Sequence, residues 1–196
     1  MSTVDKTMRA DARRNREKLL EAAAELFASD GTDVSLEAVA KRAGVGIGTL
    51  YRHFPTRDAL IAETYRNEVA HVADGAAELL ASLPPDQAME EWLERFIAYA
   101  AAKRGMAEAL KQLTVSREEL FPEARRRIGE TIDTLLRAGV AAGTIRPDVT
   151  SDDVYRATMA IWNIPDEDDW VDQARTVLRL IMDGLRYGAG AGPSAG

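Results

Sequence analysis

The chain has 196 residues, 46% hydrophobic and 29% charged, with a formal net charge of −7, no cysteine and two histidines. That length suits one large or two small domains, and the hydrophobic share is enough to fill a core. Disulfides, thiolate zinc sites and a cysteine nucleophile are excluded. His53 and His71, without an HExxH pattern around them, do not suggest a metal site.

No apolar run approaches the roughly 20 residues of a membrane span. The opening MSTVDKTMRADARR lacks the apolar stretch of a secretory signal, so a cytoplasmic protein with no membrane contact is expected. Residues 1–70 hold 11 Lys/Arg and 11 Asp/Glu, so the whole net charge lies in the remainder. Within residues 1–18, six basic side chains face three acidic ones. A neutral first third with a basic leading arm, joined to an acidic body, points to polyanion contact at one end only.

In chain order, every periodic segment has the helical period, so an all-α fold is expected. A first helix runs from about Ala10 to Ser29, with Leu19, Leu20, Ala23, Leu26 and Phe27 as its apolar stripe and Asp30-Gly31 as its stop. Ser35 is placed to cap a short helix through Ala43, with Glu37 in the first turn. A third short helix follows Gly46 and ends at Phe54-Pro55. A fourth, capped by Thr56, starts at Arg57 and reaches Ser82, with a weak point at Asp74-Gly75. Beyond Pro84-Pro85, helices are expected at 86–104, 105–115, 122–142, 151–163 and 168–187. The acidic cluster Asp166–Asp169 lacks the alternation of a calcium loop. The tail GAGAGPSAG, residues 188–196, is expected to be disordered.

Residues 44–49, GVGIGT, are a G-x-G-x-G with no preceding strand and no following Lys-Ser/Thr, so a phosphate loop is a poor reading. A helix-turn-helix over about 35–54 explains the window better. Ala40 is small where two helices cross, Gly44 tolerates the positive φ of the turn, and Val45 plugs it. Winding residues 47–54 at ~100° each puts Ile47, Leu50 and Phe54 on one side. Gly48, Thr49, Arg52 and His53 then point away, with Tyr51 at the edge. A helix of two turns with that polar face suits the major groove, its first residues nearest the base edges. Gly48 would let the backbone approach DNA closely, and Gly46 would free a helix start that can face a phosphate. Arg57 is a cation in a first helical turn, against the dipole, which a phosphate there would make favourable. Taken singly, each of these residues also has a plain reading as surface or small-core packing.

Residues 12–71, carrying LLEAAAELFASDG, SLEAVAKRAGVGIGTLYRHF and PTRDAL, closely resemble the DNA-binding domain of TetR-type transcriptional repressors. The resemblance implies an N-terminal three-helix reader (12–71), then a C-terminal helical bundle for ligand binding and dimerisation (72–187), working as a homodimer. It implies backbone contacts from Thr49, Tyr51, His53 and Arg57. Ile47, Gly48 and Arg52 would lie at or near the bases, and Ser35 and Gly46 complete the expected DNA-contacting set. Several relatives carry a polar or basic residue where this chain has Ile47; an isoleucine can read only a thymine methyl or pack inward. Arg13 and Arg14 are candidates for further phosphate contacts. The ending DDVYRATMAIWNIPDEDDWVDQARTVLRLIMDGLR looks like the last two helices of an actinobacterial subgroup with an SbtR-like C-terminal domain.

Two readers one DNA turn apart, ~34 Å, need a two-fold partner and a palindromic double-stranded operator. Val154, Ala157, Thr158, Ile161, Val171, Ala174, Val177, Leu178, Ile181 and Leu185 are the interface candidates, with internal packing as their plainer reading. Trp92, Phe96, Tyr99, Met106, Leu110, Leu113, Met159 and Trp162 are candidates to line a cavity for an unidentified small, mostly apolar effector, or else to be ordinary core. Such a ligand would tilt the fourth helix and respace the readers. The alternatives are an architectural helix-turn-helix protein with no inducer and a helical-bundle enzyme. No catalytic residue set, cofactor or metal is expected.

Overall fold

The computed structural model describes residues 3–113, 117–165, 167 and 169–189. The sequence-predicted tail from 190, the end of the 105–115 helix and half of the acidic cluster lie outside those residues. Ten α-helices and two short 3-10 turns are seen, and no strand is found among the described residues. They are α1 (Thr3–Asp30), α2 (Leu36–Arg42), α3 (Ile47–His53), α4 (Arg57–Ala73) and α5 (Ala76–Ser82). Then follow α6 (Pro85–Gly105), α7 (Ala107–Gln112), α8 (Arg117–Ala141), α9 (Ser151–Thr158) and α10 (Trp170–Arg186). Gly31–Asp33 and Met159–Asn163 are the 3-10 turns.

The chain divides into two compact units. The first takes residues 1–68 and 100–120, the second 69–99 and 121–196, so α4 and α6 each run through both. In the first unit, Leu19, Leu20, Ala23 and Phe27 of α1 are buried with Val39 of α2, Leu50 of α3 and Phe54 just past the end of α3. The same unit takes in the end of α6. A Cβ on Gly105 would stand 1.6 Å from the Phe27 carbonyl oxygen, so only glycine permits that approach.

In the second unit, the buried stripe Trp170, Ala174, Leu178, Met182 and Leu185 runs along α10 at helical spacing. Arg186 of α10 ion-pairs with Asp86 at 3.0 Å and Glu90 at 2.8 Å on α6, and Arg175 with Glu94 at 3.1 Å. The last carbonyls of α4 are taken up by side chains, as exposed helix ends require. Trp92 Nε1 donates to the Val72 oxygen at 2.7 Å, and Thr131 Oγ1 to the Ala73 oxygen at 2.6 Å. Arg127 pairs with Asp74 at 2.7 Å.

Several boundaries differ from expectation. The fourth helix stops at Ala73 and α5 begins after Gly75, so the weak point at Asp74-Gly75 is a true break. Helix α8 starts at Arg117, five residues before the expected proline start, and holds Pro122 inside it. The helix expected over 151–163 tightens to 3-10 after Thr158.

Candidate nucleic-acid interface

The helix-turn-helix is built from local rules. Ser35 Oγ accepts the Ala38 N–H at 3.1 Å and so caps α2. At the other end, the Val45 N–H reaches the Ala40 oxygen at 3.0 Å and the Gly44 N–H the Lys41 oxygen at 3.2 Å. This six-to-one pairing needs a left-handed residue between, and Gly44 has φ +68°. Extended backbone at Gly46 then starts α3, whose Thr49 and Leu50 N–H groups both return to the Gly46 oxygen.

Leu50 and Phe54 hold α3 to the core, 0% and 1% exposed. Arg16 of α1 steadies the same end: its guanidinium lies 5.5 Å from the Phe54 ring centre and ion-pairs with Glu63 of α4. Nothing in the sequence marks that role, since its partners lie far along the chain. The outward face presents Gly46, Ile47, Gly48, Tyr51 and Arg52, with Thr49 and His53 half-buried beside them.

Ile47 corrects the helical-wheel expectation. It stands 37% exposed, on the outer face rather than with Leu50. At the first position of a seven-residue helix, it lies beyond the reach of the core that holds Leu50 one turn later.

Arg52 folds back on its own helix, with Nε 3.2 Å from the Gly48 oxygen and Nη2 3.2 Å from Thr49 Oγ1. Arg57 is also engaged: Nη2 donates to the Val34 oxygen at 2.7 Å. In the leading arm, Arg14 pairs with Asp11, and Arg13 with Glu17 at 3.6 Å. Such exposed pairs contribute little, so a phosphate can compete for either arginine.

The remaining candidates scatter. Trp92, Phe96 and Tyr99 form a ladder on α6, ring centres 5.6 and 5.5 Å apart, all buried in the second unit. Met106, Leu110 and Leu113 are buried in the first unit, whereas Met159 and Trp162 are half-buried in the second. Two grooves border α8, of about 470 and 250 Å³. They are lined by charged and small residues such as Arg125, Asp152, Ala73 and Thr134, with the aromatic Tyr155, and by none of these eight. Burial pushes the Tyr155 hydroxyl pKa up.

Of the interface candidates, Val154, Thr158, Ile161, Ala174, Leu178 and Leu185 are buried within the subunit. Ala157, Val177 and Ile181 are half-buried and Val171 is exposed. Leu180, which the periodicity reading passed over, is 68% exposed. No described helix is long and apolar enough to cross a membrane.

Residues 19–64 match the family described as bacterial regulatory proteins, tetR family, and residues 84–187 match the C-terminal domain of SbtR-like transcriptional regulators. The crystal structure of the TetR transcriptional regulator SCO0520 from Streptomyces coelicolor is 46% identical, with a TM-score of 0.81, over 87% of this chain and 98% of that one. That of a TetR transcription regulatory protein from Mycobacterium vanbaalenii is 36% identical, with a TM-score of 0.74, over 91% and 99%. The HTH-type transcriptional regulator SAUSA300_2515 of Staphylococcus aureus (strain USA300) is 44% identical over 54 residues, 27% of this chain. The match spans only 29% of that curated relative's length.

Proposed function

Because the chain belongs to the TetR family of DNA-binding transcriptional regulators and has the SbtR-like C-terminal domain, we propose that it is a cytoplasmic homodimeric repressor. It grips a palindromic operator and releases it when a small, mostly apolar molecule binds the C-terminal domain. It acts by binding and not by catalysis.

The observation that carries the DNA-contacting face is Gly48, with Gly46 beside it. A Cβ at either position would meet no atom within 4 Å, and neither residue has a positive φ. Gly46 is the N-cap of α3, a place that suits glycine, but Gly48 lies within the helix, where glycine costs ~1 kcal/mol relative to alanine. Nothing inside the protein requires that cost at Gly48. Gly129 and Gly184 stand in equally open space, and what distinguishes Gly48 is its place on the exposed face of the second helix of the helix-turn-helix, where a partner could press. Tyr51 and Thr49 would then reach the DNA backbone, and Arg52 would leave its own helix for a base edge.

Two such readers need a two-fold partner. The partly exposed stripe Val177, Leu180 and Ile181 on α10 is the face that supports one. Release requires a ligand with different affinity for two reader spacings. The continuity of α4 and α6 through both units is what supports this coupling. The buried aromatic ladder on α6, filled by its own rings, favours a second reading, a helix-turn-helix protein with no inducer.

One binding assay tests the whole proposal. Duplexes are selected from a random pool by the purified protein, and their affinity is followed by fluorescence anisotropy. A palindrome is expected to emerge. Gly48→Ala is expected to raise thermal stability slightly while weakening operator binding about tenfold or more through a methyl clash. A Gly48→Ala protein that loses stability and keeps its affinity would show that the glycine serves the fold. Aromatic and lipid-like compounds added to the bound complex should release the duplex. If none does, the inducer-free reading stands in place of the repressor.

A further inference from the structure

Ile47 is a costly residue in its place. It projects into solvent at the first position of α3, between two residues that carry no side chain. It is therefore the only side chain borne by residues 46–48. Among the described residues of the first unit, Ile47 and Tyr51 are the two exposed large hydrophobics, at 37% and 47%. They lie one helical turn apart, so their side chains are neighbours on the helix surface.

Of the two uses open to an isoleucine at this point, full inward packing is not what is seen: Ile47 is 37% exposed and part of its side chain is free to meet a base edge. The side chain can neither donate nor accept a hydrogen bond. In the major groove, the apolar feature on a base edge is the C5-methyl group of thymine. The bare backbones of Gly46 and Gly48 allow a close approach on both sides. The β-branch at Ile47 restricts χ1, so little rotamer freedom is lost on contact.

Resting on the DNA-binding reading above, we propose that Ile47 determines specificity by reading a thymine methyl under the start of α3, once in each half of the operator. The same methyl group is present on 5-methylcytosine, so a methylated C·G pair at that position should be partly accepted where an unmethylated one is not.

The test replaces each thymine of the selected duplex in turn with deoxyuridine, which removes the methyl and leaves every hydrogen-bonding group in place. For the wild-type protein, one symmetric position should lose affinity about fourfold per half-site, the effect of one buried methyl. Restoring a methyl with 5-methylcytosine should bind better than cytosine at that position. In Ile47→Ala the deoxyuridine penalty should vanish, and in Ile47→Val it should persist. Because the side chain is already 37% exposed, both variants should stay folded, with Ile47→Ala losing little thermal stability and Ile47→Val less.

Uniform tolerance of deoxyuridine by the wild type, or a penalty that survives in Ile47→Ala, would overturn the proposal while leaving DNA binding intact. Failure to retain any duplex from the pool would overturn the DNA-binding reading itself, and this inference with it.

Discussion

Arg57 stands in the first turn of α4, where the helix dipole disfavours a cation. Its guanidinium donates to the Val34 oxygen, just ahead of the Ser35 cap, and so ties the start of α4 to the entry of α2. That bond offsets the unfavourable dipole without any phosphate. Arg57→Ala is expected to lower the unfolding free energy by about 1.5 kcal/mol, the usual scale for a hydrogen bond from a charged donor. Urea denaturation without DNA checks this; a residue serving only as a phosphate contact would leave the midpoint unmoved. The sequence exposed the anomaly of a cation at that place. It could not name the partner, because a backbone carbonyl 23 positions upstream leaves no trace in residue types. Gly44 was legible for the opposite reason, since its left-handed turn is a property of one residue alone. Ile47 was misplaced because a helical wheel treats its first turn as if the core extended beneath it.

At the scale of elements, starts and stops read best where a local side chain makes them. Ser35, whose own hydroxyl caps α2, is such a case. The start of α8 did not, because a proline tolerated inside a helix resembles the proline that begins one. Helix α9 opens with a reciprocal cap that periodicity alone passed over. Thr150 Oγ1 accepts the Asp153 N–H at 3.2 Å, while the Asp153 carboxylate accepts the Thr150 N–H at 3.0 Å and its hydroxyl at 2.6 Å. Those bonds, the hydroxyl's first, hold the Asp153 pKa below the ordinary 3.8. A carboxyl with a depressed folded pKa adds stability that is fully present above its unfolded value. That stability is lost as pH falls through the folded one. The stability gap between wild type and Asp153→Asn should therefore be constant at neutral pH and close as pH drops below 3.8. Denaturant titrations across that range measure it, and a gap that widens in acid would refute the assigned cap.

At the scale of the whole molecule, α10 has two apolar stripes with different tasks. Trp170, Ala174, Leu178, Met182 and Leu185 fill the subunit's own core. Val177, Leu180 and Ile181 face outward or lie half-exposed. Sequence periodicity merged the two, because an apolar residue carries no label for the body it packs against. Exposure separates them: Leu180 is 68% open to water, and with the half-buried Val177 and Ile181 beside it forms an outward apolar stripe of the kind that a second surface covers. In a two-fold interface each substitution acts twice. Leu180→Glu should therefore raise the dissociation constant of the proposed dimer about a hundredfold or more, since two carboxylates would be desolvated together. Sedimentation would show a single subunit, circular dichroism would show retained helix, and operator binding would fall because one reader spans only half a palindrome. Ala174→Glu, with the carboxylate forced into the subunit core, should instead abolish folding. Should Leu180→Glu sediment and bind DNA as the wild type does, the outward stripe of α10 is not where two copies meet.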